Sequence, residues 1–425
     1  MADHVDYAIC NLTTKYPLIL RQILTMHLTL QSFIAYGLIG HLSWWAYIAI
    51  ALVLTHITIV AVTIYLHRHQ AHRALELHAI PSHFFRFWLW LTTGMITRQW
   101  AAIHRKHHAR CETPDDPHSP QVLGIQKVLF EGVELYRIAC KDQVSIDKFG
   151  SGTPDDWLER HLYASHSGAG IYSLMVIDLL LFGPIGLTIW AIQMAWIPVT
   201  AAGIINGIGH YWGYRNFACE DASTNVLPWG ILIGGEELHN NHHAFGSSAK
   251  LSNKWYEFDI GWMYIRIMEM LHLAKVKKVA PKARLRAAKP VCDMDLLQAI
   301  ITHRYDVITR YSRTMKATCA SEFDKLRASW PHIEHLGIIR NFKHWLHLDA
   351  NELAEAERTR LGQVLEKSSE LQLIYTMRQE LSTLWSRSSA SKEQLLKQLE
   401  EWCLRAESSG IEALQGFSRT LRSYV

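Results

Sequence analysis

The sequence predicts an all-α integral membrane protein: about four transmembrane helices, a histidine-rich metal site at their ends, and a helical C-terminal appendage. Three observations predict it. Long apolar runs crowd the chain before about residue 275. Histidines fall in four short clusters beside those runs. The remaining residues are polar, charged and helical in their periodicity.

The candidate spans follow in chain order. Leu18 to Leu42 is the weakest, since it carries Arg21, His27 and His41. Trp44 to Leu66 is the strongest: its one His, Lys, Arg, Asp or Glu is His56, and it is long enough to cross. Ile171 to Trp190 and Ala191 to Trp212 follow back to back. Gly183, Pro184 and Gly186 lie in the first of these and allow the boundary to shift by several residues. The apolar stretch from His83 to Trp100 holds Arg86 and Arg98, whose charges a central span would find costly. It is expected to dip into the bilayer, or lie on it, and return. An even number of crossings then separates every pair of histidine clusters. Arg68, Arg73, Arg98, Arg105, Lys106 and Arg110 flank them, so the positive-inside rule places the site in the cytoplasm. Gly124 to His166 is amphipathic and is expected as a cytoplasmic helical segment or a lid.

The histidines carry the chemistry. His239, His242 and His243 are spaced by three and four, one face of a helix, and His104, His107 and His108 repeat the pattern. His67 and His72 are five apart, which is not one face of a regular helix, so a loosened helix end is expected there. His210 follows Asn206 by one helical turn. Neutral imidazole is the commonest transition-metal ligand. Nine histidines exceed the roughly four ligands of one zinc-type site and fit two ions with about four or five nitrogens each.

Composition sets the remaining bounds. A net charge of +4 makes no case for nucleic-acid binding. The seven cysteines, from Cys10 to Cys403, are scattered without a C-x-x-C, against a disulfide framework or an iron–sulfur cluster. The opening residues lack the pattern of a secretory signal. Three regions result: 1–43 with the weak first span, 44–274 with the four clusters, and 275–425 as a helical region.

With these clusters in place, the chain resembles the membrane fatty acyl desaturases, specifically the acyl-CoA delta-9 (stearoyl-CoA type) group and its bacterial branch. The resemblance covers roughly Trp44 to Ile260. It rests on H-x4-H at His67 and His72, H-x2-HH at His104, His107 and His108, N-x3-H at Asn206 and His210, and H-x2-HH at His239, His242 and His243. Glu112, Thr113, Asp116, Pro117 and His118 match the family's E-T-x-x-D-P-H; Gly235, Glu236, His239, Asn240, His242 and His243 match its G-E-x-x-H-N-x-HH. The resemblance implies two iron ions held by the nine histidines, with Asn206 holding a water as a further ligand. It also implies four spans under a mushroom-shaped cytosolic cap, in the bacterial inner membrane. One departure stands out: where animal acyl-CoA enzymes have an Arg-Asp pair that contacts the CoA head, this chain has Ala102 and Ile103.

The neighbouring residues have blander readings. His69 is expected to be exposed or to sit behind the ligands, and His78 and His83 to be interfacial. Asp116 and Glu112 either orient ligand histidines through the second ring nitrogen or cap a loop. Trp100, four residues before His104, lines the acyl tunnel in the family or simply packs.

The implied reaction introduces a cis double bond, at delta-9, into a saturated acyl chain, with O2 and two electrons. Removing hydrogen from an unactivated methylene needs oxygen activated at a metal. The chain carries no flavin, nicotinamide or haem motif. A separate ferredoxin, flavodoxin or cytochrome b5 type donor and its reductase are therefore expected, with membrane lipid and acyl-CoA or another acyl-lipid as partners. Three alternatives stay open: a hydroxylase or oxygenase on the same scaffold, a desaturase of phospholipid-bound chains, and a non-catalytic metal transporter or sensor. The last is disfavoured because transporters hold ligands near the bilayer midplane.

From Lys275 a basic stretch, K-V-K-K-V-A-P-K-A-R-L-R-A-A-K-P, suits anionic lipid headgroups. Beyond it, Asp349 to Trp385 is helical in period. Ser389 to Val425 has a start signal at Ser391-Lys-Glu and a stop at Ser408-Ser-Gly. This region resembles the C-terminal part of insertion-sequence transposases. Their acidic triad and nuclease sheet are not recognisable in it, so no DNA activity is expected. His303, His332, His335, His344 and His347 are expected as surface or packing residues, and a chain cut after about Ala274 should keep its metal.

Overall fold

The computed structural model describes residues 17–330, 353, 355–386 and 390–425. The chain divides into two compact units. The first holds the described residues up to Ile208, with Gly230–Glu236 and Phe258–Lys277; the second holds Gly209–Trp229, Glu237–Glu257 and the described residues from Lys278 onward. Both are helical, with few and short strands.

In the first unit, the Leu18–Leu42 run forms the helix Pro17–Tyr36. Ser43 opens the next helix, its hydroxyl oxygen accepting from Ala46 N at 3.3 Å and satisfying a donor that helix starts leave unpaired. That helix is α over Trp44–Ala61 and π over Val62–Ala71, so it continues past the apolar run. Trp44–Ala71 and Ile185–His210 are long and apolar enough to cross a membrane; Ser167–Phe182 is apolar but shorter. Against the expected count of about four, two helices among the described residues qualify by length and composition.

The two apolar runs after His166 meet as a helical hairpin, Ser167–Phe182 and Ile185–Ile197, turning at Gly183 with φ 66°. A Cβ on Gly186 would lie 2.0 Å from the Asp178 carbonyl oxygen, so only glycine permits this backbone approach. Buried Asp178 accepts a hydrogen bond from Gln193 Nε2 at 2.8 Å across the hairpin.

The stretch with Arg86 and Arg98 is not one continuous helix. It folds as Ala79–Thr92 and Thr97–Arg110, broken around Gly94. Arg86 is buried, and its charge is matched by Asp156 at 2.6 and 2.8 Å and by Glu159 at 3.0 Å. Gly124 to His166 contributes the helices Ile125–Ala139 and Gln143–Phe149, in line with its amphipathic pattern. Leu75–Leu77 pairs antiparallel with Ala274–Val276, Leu75 opposite Val276. This pairing carries the chain beyond Ala274 into the first unit.

The second unit buries a core that includes Tyr311, Met315, Trp402 and Phe417. Two of its aromatics anchor their polar tips on backbone carbonyls: Trp402 Nε1 donates to Met377 O at 2.7 Å and Tyr311 OH to Ile374 O at 2.6 Å. Ser391 caps Lys392–Ser408 in a capping box with Gln394, as the start signal predicts. The helical stretch before it breaks at Ser368, which caps Ser369–Thr383. His303 is buried beside Tyr424. His332, His335, His344, His347 and Cys10 lie outside the described residues, and the other six cysteines are free thiols. Ala218 N donates to Thr309 Oγ1 at 3.0 Å, and Phe245 meets Tyr305 edge-on, with centroids 6.2 Å apart.

Candidate metal centre

Each unit gathers its own group of histidines. In the first, the π-helical segment brings His67 and His72 together. His72 N donates to His67 O at 3.0 Å, a bond to the fifth residue back. The two rings then meet edge-on, with centroids 4.9 Å apart. In a regular α-helix, five residues would leave them about 140° apart. Arg105 fixes the end of this turn, donating to Gln70 O at 2.6 Å and Ala71 O at 2.9 Å.

The helix Thr97–Arg110 brings His104 and, one turn on, His108. Centroid separations are 4.6 Å for His67–His104, 4.9 Å for His72–His104 and 4.7 Å for both His72–His108 and His104–His108. One nitrogen from each of His67, His72, His104 and His108 lies within 4.8 Å of the others. His72 Nε2 and His104 Nε2 are 2.8 Å apart. Two imidazoles bound side by side to one ion at about 2.1 Å have nitrogens about 3 Å apart, so this group fits a metal. Burial, aided by the neighbouring imidazoles, pushes His72 and His104 well below the ordinary imidazole range. Both are therefore neutral, the form that ligates.

In the second unit, His210 ends a short 3₁₀ turn and meets the last cluster, on the helix His239–Ala244. His210 Nε2 and His239 Nε2 are 2.9 Å apart. Centroids are 4.6 Å apart for His210–His243, 4.5 Å for His239–His243 and 5.6 Å for His242–His243. Asn206 is half-buried at the end of the π-helical segment Pro198–Ile205.

Three carboxylates orient three of these rings. Glu236 Oε1 is 2.7 Å from His67 Nδ1, Asp116 Oδ1 is 2.9 Å from His107 Nδ1, and Asp221 Oδ2 is 2.8 Å from His243 Nδ1. A carboxylate at Nδ1 holds the proton there and leaves the Nε2 lone pair to face a metal. Burial alone would raise the Asp116 carboxyl, but His107 holds it down to about 2. Glu236 and Asp221 are lowered against the same burial, chiefly by His67 and His210 respectively.

Gly235 makes the Glu236 contact possible. Its φ is 101°, and a Cβ there would lie 2.4 Å from Asp259 Oδ1 and 2.7 Å from Arg68 Nη2. Arg68, 1% exposed, pairs with Asp259 at 2.9 and 3.2 Å and donates to Gly234 O at 3.0 Å. Gly235→Ala is therefore expected to displace Glu236 from His67 and weaken metal retention by roughly 10-fold. Chelator-release rates of purified protein check this.

Several neighbouring readings are decided. Asp116 orients a histidine; it also accepts from the backbone N of Glu112 at 2.8 Å and of His118 at 3.1 Å. His69 is half-buried, its Nδ1 3.0 Å from Leu75 O, rather than exposed. His78 caps the helix Ala79–Thr92, and His83 is exposed. Trp100 stacks on His104 at 5.0 Å with 10° between the planes. Ala102 and Ile103 are buried in an apolar cluster with Ile146. Asp221 escapes sequence reading, because nothing in A-C-E-D-A-S marks one acid over another; Glu236 stands within a quoted motif, though the motif does not reveal its partner.

The family described as Fatty acid desaturase matches residues 42–259, and one described as Transposase matches residues 296–425. "Delta-9 acyl-lipid desaturase 1" of Arabidopsis thaliana is 27% identical over 248 residues, 57% of this chain and 78% of that protein. "Delta-9 desaturase-like 4 protein" of the same plant is 30% identical over 247 residues, 54% and 76% respectively. "sn-1 stearoyl-lipid 9-desaturase" of Anabaena variabilis is 26% identical over 245 residues, 56% and 86% respectively.

Proposed function

Since the chain belongs to the fatty acid desaturase family, we propose that it is an O2-dependent membrane oxidoreductase that introduces a cis double bond, at delta-9, into a saturated acyl chain. The observation that carries this is the set of histidines whose Nδ1 atoms face carboxylates, two of them buried, which leaves Nε2 for metal. His67, His72, His104, His107, His108, His210, His239, His242 and His243 hold two irons, and Asn206 holds a water ligand. Bound iron supplies the oxygen activation that an unactivated methylene requires. Glu236, Asp116 and Asp221 keep their imidazoles in the ligating tautomer. Trp100 covers one face of His104. Electrons come from a separate ferredoxin, flavodoxin or cytochrome b5 type donor, and the site faces the cytoplasm of a bacterial inner membrane, by the placement of its arginines.

The acyl carrier is CoA in the reading the resemblance gives. A specific observation favours a lipid-bound chain instead: Ala102 and Ile103 are apolar and buried where a CoA-binding pair is charged. The named relatives include acyl-lipid desaturases.

Expression in a strain with saturated lipids, followed by mass spectrometry of acyl chains, tests the activity. A new monounsaturated chain is expected; a hydroxylated chain would favour the oxygenase, and unchanged lipids beside metal-loaded protein and a competent donor would refute both. Resolving the product by lipid class against free acyl-CoA decides the carrier. Asn206→Ala should lower turnover by about 10-fold with metal retained, a milder loss than for any histidine.

None of the nine histidines lies in residues 275–425, whose described part from Lys278 shares a compact unit with Gly209–Trp229 and Glu237–Glu257. Because residues 274–276 pair with Leu75–Leu77, the cut that tests this belongs after Lys289. It removes the Thr309 bond and the Tyr305 contact, a cost of about 1–3 kcal/mol. Metal per chain should stay at the parent value, measured on purified protein.

A further inference from the structure

The helix His239–Ala244 presents three histidines yet is six residues long, and its N-terminus has no side-chain cap. So short a helix has little stability of its own. At 100° per residue, Asn241 lies about 150° around the helix from the mean direction of His239, His242 and His243. Its amide is fully engaged on that far side. Nδ2 donates to Leu251 O at 3.0 Å and to Glu257 Oε2 at 2.8 Å, and Oδ1 accepts from Asn216 at 2.8 Å and Asn225 at 3.1 Å.

Glu257 is the hub of this network. It is 9% exposed. Its Oε1 accepts from Tyr214 OH at 2.9 Å and Asn216 Nδ2 at 2.5 Å. Its Oε2 accepts from Asn241 Nδ2 at 2.8 Å, Asn253 N at 2.7 Å and Lys254 N at 2.8 Å. All five partners donate, and a carboxylate alone accepts at both oxygens. The Lys254 ammonium lies over the Phe217 ring rather than on Glu257, so hydrogen bonds satisfy the charge.

We propose that Glu257 is a positioning residue for the metal site: through Asn241 it fixes the rotation of the helix that carries His239, His242 and His243. It touches neither metal nor substrate. The inference rests on the reading of those histidines as metal ligands. Three of the four segments the network ties, around Tyr214–Asn216, Asn225 and Asn253–Lys254, are loops; a single antiparallel bridge, Tyr214 to Asn225, joins the first two, and the side-chain bonds tie that pair to the helix and to Glu257.

The test is Glu257→Gln in the full-length protein, loaded with cobalt(II) as a spectroscopic probe. Glutamine has the same shape but turns one acceptor into a donor that faces donors. Release of cobalt to a chelator, well below the melting temperature, should quicken by roughly 10- to 100-fold, the range seen when groups behind metal ligands are lost. The cobalt ligand-field bands should shift as well. A general loss of stability would lower the melting temperature without moving those bands. Tyr214→Phe removes one donor, leaves the carboxylate, and should quicken release only a few-fold. It carries the test if Glu257→Gln is not recovered folded. Parental release and bands in Glu257→Gln, or in Tyr214→Phe where that variant stands in, would overturn the proposal. Failure of the parent protein to bind cobalt would instead count against the metal-site reading itself.

Discussion

Replacing His107 with Ala is expected to cut desaturation by about 1000-fold or more, the several kcal/mol that a catalytic metal supplies. The ring is buried, and its Nδ1 is held by Asp116 at 2.9 Å. The substitution therefore removes a ligand and also strands a buried carboxylate, whose remaining partners are the backbone N–H groups of Glu112 and His118. Product per unit of membrane protein and metal per chain are measured together. His242→Ala should behave alike in activity, since its buried ring stands beside His239 and His243, with centroids 5.9 and 5.6 Å away. A variant at either position that kept a tenth of parental turnover would remove that histidine from the ligand set.

Asp259→Ala should have the largest effect on stability. Arg68 lies at the π-helical segment that also carries His67, and its guanidinium is buried against Asp259. Removing one partner of a buried pair leaves an uncompensated charge, at about 3–5 kcal/mol. Asp259 also caps the helix Ile260–Met270, accepting from Trp262 N at 2.9 Å, which adds about 1 kcal/mol. For a unit of this size the melting temperature should fall by roughly 10 °C or more. Asp259→Asn keeps the cap and one acceptor for Arg68, and should recover part of the loss. Equal melting of Asp259→Ala and the parent would show that water reaches Arg68.

Much of this was legible in the sequence because the signals are local. Helical spacing put His104 with His108, and His239 with His243, on single faces. The odd spacing of His67 and His72 called for a loosened helix, and a π-helical segment supplies it. The capping signal at Ser391 is local too, and a capping box with Gln394 forms there. What stayed hidden is set by distance along the chain. Asp221 and His243 are 22 residues apart, Glu236 and His67 are 169 apart, and no periodicity links them. The charges of Arg86 and Arg68 were visible, but not the carboxylates that neutralise them. Length alone also misplaced element ends: the helix from Trp44 continues through its first histidines, while the stretch after His83 breaks at Gly94.

The bonds around Glu257 close on themselves between Tyr214 and Glu257. Every side chain they use lies in that stretch, and none comes from the helices after Met294. The stretch thus brings its own fixings. The helical body that follows meets this stretch elsewhere, at Ala218 and Phe245, and supplies no side chain to the bonds of Glu257. The junction between the matched regions 42–259 and 296–425 lies beyond this network, so a change of sequence there leaves every bond of Glu257 intact.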